Sequence, residues 1–152
     1  MELSSVTKKY WEDKDWSDLD KSESVKDLYV IASRILERMP KNLSQVCGPI
    51  STGGKGNIVD NLLEFNKKII KLQEEGLDVF DQMPFEDPMH RMMLNFSKEE
   101  YMHNILTDFY LPIFESGKIT ELYFLPEWES SHGANWEHEQ AKRLEIKIIY
   151  LN

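Results

Sequence analysis

From Ser24 onward the apolar positions alternate between helical and extended spacing. Val25, Leu28, Ile31, Ala32, Ile35, Leu36 and Met39 recur every three or four residues and share one helical face. Ser24 with Asp27 supplies a capping-box start, and Pro40 ends the pattern. Leu43 to Cys47 is a short apolar run leading into GPISTGGKGN, which predicts a buried strand and a tight loop. Ile58, Leu62, Phe65, Ile69 and Leu72 mark the next helix. Gly76 closes it, since glycine adopts a left-handed cap most easily. Leu77 to Phe80 predicts a second strand. A strand, helix and strand in that order form a βαβ unit, which requires a parallel pair and a right-handed crossover.

Residues 81–97, DQMPFEDPMHRMMLNFS, contain Pro84 and Pro88 and predict an irregular segment of the kind that contacts substrate at a sheet edge. Ser97 with Glu100 opens a helix reaching about Glu115. Thr120 to Leu125 predicts the third strand, Gly133 to Leu144 a helix, and Ile146 to Leu151 the closing strand. The fold class expected is α/β, a flavodoxin-like or Rossmann-like parallel sheet with flanking helices. Residues 43–152 form that domain, and residues 1–42 an N-terminal arm and helix. Residues 1 to about 21 lack periodicity and predict a solvated arm, pinned by Trp11 and Trp16 to the body or to a neighbouring subunit.

A length of 152 residues suits one domain. The formal net charge of -9 repels phosphodiester backbones and argues against duplex nucleic acid as partner. A single phosphate is not excluded, because backbone N–H groups bind it without a basic surface. Cys47 is the lone cysteine, which fits a reducing compartment. The opening MELSSVTKKYWEDKDW has no signal-peptide core, and no apolar run approaches membrane-spanning length. The expectation is a cytoplasmic protein with no membrane partner. His90, His103, His132 and His138 lack zinc-motif spacing, so neither metal nor cofactor is expected.

Ligands of open parallel sheets bind beyond the carboxyl ends of the strands. Three segments converge there: GPISTGGKGN, PFEDPMHRM and PEWESSHGANWE. The first holds four of the seven glycines, Gly48, Gly53, Gly54 and Gly56, with Lys55 among them. It reads equally as an oxyanion cradle or as a flexible turn. In the last, Ser130, Ser131 and Gly133 lie at a helix start suited to capping or to holding phosphate. Glu137 lies one turn further in. A carboxylate there either favours the helix dipole or attacks a sugar's anomeric carbon. Asp108 is either a candidate for protonating a departing base or the commoner solvated helical Asp, with Asp81 and Glu86 near the same edge. Met89, Met92, Met93 and Phe96 offer either an apolar lid or ordinary core packing. Cys47 reads as a buried small hydrophobe rather than a nucleophile.

Two of these stretches carry a family likeness. Cys47-Gly48-Pro49-Ile50-Ser51, followed by Gly53-Gly54 and Asn57, and Ser131-His132-Gly133-Ala134-Asn135-Trp136-Glu137 occur in the order and separation of one superfamily. Over residues 43–152 the chain resembles the nucleoside 2-deoxyribosyltransferase-like superfamily, which includes deoxynucleoside monophosphate N-glycosidases and an uncharacterised, often phage-associated branch. The resemblance implies a sugar or phosphate loop at Gly48, Ser51, Gly53, Gly54, Lys55 and Asn57. It implies Glu137 as nucleophile, Ser131 and Gly133 as phosphate or sugar contacts, Asp108 as acid/base, and a homo-oligomer. Many members have an Asp directly before the third strand, where this chain has Ser116-Gly117-Lys118. The implied activity is cleavage or exchange of the N-glycosidic bond of a (2′-deoxy)nucleoside or its 5′-monophosphate. The alternative is a non-catalytic nucleotide-binding or sensor module using the same pocket.

Overall fold

In a computed structural model that describes residues 2–152, the capping signals act where the sequence puts them. Helix α3 (Val25–Arg38) begins with a complete Ser24–Asp27 capping box. Strand β1 (Leu43–Cys47) is buried throughout. Helix α4 (Ile58–Glu74) is capped by Asn57, whose side chain accepts from the Asp60 N–H. It ends at Gly76, with φ +94°, where the Leu77 and Gly76 amides close back onto Leu72 and Gln73.

Strands β2 (Ile119–Phe124) and β3 (Lys147–Tyr150) complete a three-stranded parallel sheet in the order β1-β2-β3. Cys47 pairs with Phe124, and Phe124 with Tyr150, so the three strands end level on one edge. Alternation along β1 sends Leu43 and Cys47 into one apolar cluster and Val46 into another. The first cluster gathers α3 with Phe85, Phe109 and Phe114; the second gathers α4 through Phe65 and Ile69. Helices therefore cover both faces of the sheet.

The expected strand at Leu77–Phe80 shrinks to one parallel bridge, Val79 with Ser44 on the free side of β1. Its neighbours explain this. The Leu77 amide is spent closing α4, and the Asp81 carboxylate takes the Met83 amide to start a turn, so little chain is left to pair. Residues 81–97 are also more regular than expected. A 3₁₀ turn (Met83–Phe85) runs into helix α5 (Glu86–Met93). Pro84 and Pro88 lie in the first turns of these elements, where no intrahelical N–H is needed. The helix expected to reach Glu115 is divided into α6 (Lys98–Ile105), a π turn (Leu106–Tyr110) and α7 (Leu111–Glu115). Pro112 removes an amide from that ladder, and the wider turn accommodates the loss.

The N-terminal segment is not a solvated arm. It forms α1 (Ser5–Lys8) and α2 (Asp13–Lys21), and Trp11 is buried. The indoles do pin it: Trp11 stacks on Trp16 at 4.2 Å and meets Phe85 at 5.3 Å. Asp15 on α2 pairs with Arg34 and Arg38 of α3. Thr7 donates to the Asp81 carboxylate at 2.8 Å and accepts from Gln73 at 3.0 Å. Helix α8 (His132–Leu144) packs between β2 and β3 in sequence. Among the described residues no helix is long and apolar enough to cross a membrane.

Candidate active site

Where β1 ends, Cys47 is still in the sheet and Gly48 has turned out of it. A side chain at Gly48 would collide with Leu125 just beyond β2, so glycine is what lets the two strand exits lie together. A cavity of about 80 Å³ opens at this point. Gly48 and Ser51 line it from the first loop, Ser131, Gly133 and Glu137 from the start of α8. Glu86, Met89, His90 and Met93 of α5 and Tyr101 and Met102 of α6 line it as well. Its mixed apolar and polar lining is that of a small-molecule site.

Glu137 lies one turn into α8 and is only 7% exposed. The Cys47 thiol donates to its Oε2 at 3.3 Å. Burial pushes its carboxyl up to about 8, against the lowering effect of the thiol and with a further push from Glu86. Glu86 opens α5 and is equally buried. Its carboxyl also rises to about 8, through burial and then the neighbouring charge of Asp87. Neither forms an ion pair with a Lys, Arg or His among the described residues. Two buried carboxyls lining one cavity, without a cation among the described residues, hold their protons toward neutral pH. Loss of one proton from such a pair leaves the composition of a nucleophile and a general acid.

Burial, then the charges of Glu86 and Glu137, pushes the Tyr110 phenol well up, which keeps it a neutral cavity-wall hydroxyl. Gln82 is buried beside the same cavity. Its Nε2 donates to the Val46 carbonyl at 2.7 Å, while its Oε1 has no partner among the described residues. That oxygen is available to a donor group on a ligand, because a buried acceptor without a partner is costly.

The glycine-rich loop and the α8 start meet as the topology requires. The Gly54 amide donates to Ser130 Oγ at 2.9 Å and the His132 amide to Thr52 Oγ1 at 3.1 Å. This contact spends several candidate ligand groups on the protein itself. Gly53, with φ +69°, passes so near the Ser130 carbonyl that any Cβ would collide. The Lys55 amide donates to Asn61 Oδ1, and Asn57 caps α4. Gly54 and Lys55 border a separate shallow hollow with Pro49 and Glu127. Gly53, Gly54, Lys55, Asn57 and Ser130 thus lie outside the cavity lining, whereas Gly48, Ser51, Ser131, Gly133 and Glu137 belong to it.

Asp108 is not brought to the cavity; it lies half-buried on the π turn, between the inward-facing Leu106 and the buried Phe109 and Tyr110. Glu86 of α5 lines the cavity with the α8 carboxylate instead. Asp81 faces the other way, toward Thr7 and Met83. Met89 and Met93 line the cavity; Met92 packs in the core, and Phe96 is exposed. Gln82, Tyr101 and Tyr110 are cavity residues that sequence reasoning did not single out. The signal for the α5 wall was available in the acidic pair Glu86-Asp87 after a proline, followed by Met89 and Met93 at helical spacing.

Among the described residues no cluster of His, Cys, Asp or Glu could hold a metal ion. No curated protein and no solved structure matches the chain. A family model described as a domain of unknown function (DUF4406) matches residues 45–150, a span that begins within β1 and takes in both cavity carboxyls.

Proposed function

The chain belongs to the DUF4406 family, and from that premise we propose that it cleaves or exchanges the N-glycosidic bond of a (2′-deoxy)nucleoside or its 5′-monophosphate. The observation that carries this reading is the pair of buried carboxyls, Glu137 and Glu86, that line one cavity with no ion-pair partner among the described residues. Ionised Glu137 attacks C1′ of the sugar. The C1′–N bond breaks, its electron pair goes to the base nitrogen, and protonated Glu86 supplies the proton that lets the base leave. Water then attacks C1′ of the glycosyl ester. Glu86 takes its proton, and Glu137 departs as carboxylate. A second base in place of water gives exchange.

Ser131 and Gly133 at the start of α8 face the same cavity and suit a sugar hydroxyl or a 5′-phosphate. Methionine and aromatic side chains of α5 and α6 suit a nucleobase face. The finer fold assignment belongs to this proposal. The single bridge of Val79 on one side of β1, with β2 on the other, supports a flavodoxin-like strand order whose switch point would lie between β1 and β2. The likeness to the nucleoside 2-deoxyribosyltransferase-like superfamily points the same way, with Glu86 in the acid role assigned above to Asp108. It also implies a homo-oligomer.

Purified protein incubated with the common nucleosides and 5′-monophosphates, with free base read by chromatography, tests the proposal. Release is expected from at least one substrate, and Glu137→Ala is expected to reduce it by more than about 10³-fold. Absence of release from all of them, or release undiminished in Glu137→Ala, overturns it. Tight binding without turnover identifies the non-catalytic nucleotide-binding module instead.

A further inference from the structure

We infer that Cys47 is a positioning residue for Glu137, its thiol holding one carboxylate oxygen so that the other faces the reacting carbon. The inference rests on the reading of the cavity above and deepens it. Three observations carry it. The thiol lies 3.3 Å from Glu137 Oε2, with both groups buried. It is the one side-chain hydrogen bond that Glu137 receives among the described residues, and Glu86 receives none. Cys47 is also fixed by the sheet, since its backbone pairs with Phe124 and its carbonyl accepts from the Leu125 amide at 2.9 Å. The donor's position is therefore set by a strand, which places a side chain more accurately than a loop does.

The chemistry of the sulfur agrees with a donor role. Burial and the adjacent Glu137 carboxylate push the thiol up, so it keeps its proton and is no nucleophile. Around Glu137 the ionisable groups are Cys47 on β1, Glu86 on α5 and Tyr110 on the π turn, with His90 and Tyr101 further along the same wall. Among these the thiol breaks the symmetry between the two carboxyls. A hydrogen bond to one favours its ionised form and leaves the shared proton on the other. Cys47 thereby assigns Glu137 to attack and Glu86 to protonation.

The test uses the full-length protein labelled with carbon-13 at the glutamate side-chain carboxyls, with the Glu137 signal identified by its loss in Glu137→Gln. Cys47→Ala is expected to move the Glu137 titration midpoint upward, and Cys47→Ser, which keeps a stronger donor, to move it below that of the natural chain. In turnover, Cys47→Ala is expected to lower kcat about tenfold with KM unchanged, and Cys47→Ser to restore most of it. Should Cys47→Ala not fold, Cys47→Ser alone decides through its midpoint. A Glu137 midpoint indifferent to the substitution overturns the inference. The titration needs no substrate, so it stands apart from failure of the glycosidase reading, which shows as absent turnover in the unsubstituted protein.

Discussion

Asp15 and Glu137 are carboxyls of almost equal burial, 0% and 7% exposed, held in opposite ways. Asp15 lies between two guanidinium groups, Arg34 Nε at 3.1 Å and Arg38 at 2.5 Å, and accepts the Glu12 amide at 2.8 Å. Burial alone would raise its carboxyl, but the hydrogen bond and charge of Arg38, with the Glu12 amide and Arg34, bring it below the usual range. Glu137 has one thiol and a second carboxyl for company, and rises to about 8. The sequence spends two arginines to keep one carboxylate ionised at the base of the N-terminal segment. It spends no cation at all on the two in the cavity. A buried carboxylate with counter-charges fastens helices together; one without them stores a proton affinity that serves chemistry better than stability.

The comparison breaks most readily at Asp15. Asp15→Asn leaves Arg34 and Arg38 without the charge that binds α2 to α3, and is expected to cost about 3 kcal/mol at neutral pH. Urea unfolding at constant m measures it. Glu137→Gln, equally buried and nearly isosteric, is expected to cost nothing at pH 7. Equal losses in the two variants would dissolve the distinction between the fastening carboxyl and the cation-free one.

The next effect is the sign of the pH dependence. Asp15 has a depressed folded pKa, so its stabilisation is present above its unfolded value near 3.8 and is lost as pH falls through the folded one. The cavity carboxyls have raised folded values. Their contribution is fully present below about 4.5 and is lost as pH rises toward about 8, because the unfolded chain releases protons that the folded one retains. The slope is roughly 1.4 kcal/mol per pH unit for each proton retained. Denaturation midpoints followed from pH 5 to pH 8 are expected to fall in the natural chain and to fall less in Glu137→Gln. A flat profile across that window would mean the cavity carboxyls are solvated.

The two regions also differ in how far the sequence discloses them. Glu137 was legible because a strand, a Gly- and Ser-rich turn and a helix start fall in a fixed order, and the helical repeat then aims the carboxylate. Glu86 was seen as a carboxyl near the edge but not as a wall residue. Pro84 and Pro88 read as helix breakers, whereas each occupies a first turn, where proline is harmless. Asp108 was placed by the resemblance, and it lies on a π turn outside the cavity lining. The glycine-rich loop was conspicuous for a reason composition does not reveal: Gly53 is required by the carbonyl of Ser130, a contact made across 77 positions of chain. The N-terminal fastening was invisible for the same reason. Asp15 and its arginines share no periodic pattern, and only the packed helices bring them together.

Asp81 is the intermediate case, and its effect should be the smallest. It is buried like the others and lacks a cation, yet Thr7 and the Met83 amide hydrogen-bond both of its oxygens. Burial still raises its carboxyl, against those two hydrogen bonds. Asp81→Asn removes a buried charge, which favours folding, and presents an amide where the Thr7 hydroxyl donates, which opposes it. The terms are similar in size, and a net change below about 1 kcal/mol is expected at neutral pH. As pH falls and the carboxyl of the natural chain takes up its proton, the charge difference between the two proteins vanishes. Parallel urea titrations near pH 7 and pH 4 read both quantities. A loss as large as that of Asp15→Asn would show that hydrogen bonds alone make a buried carboxylate indispensable here, and cations would no longer separate the fastening site from the cavity.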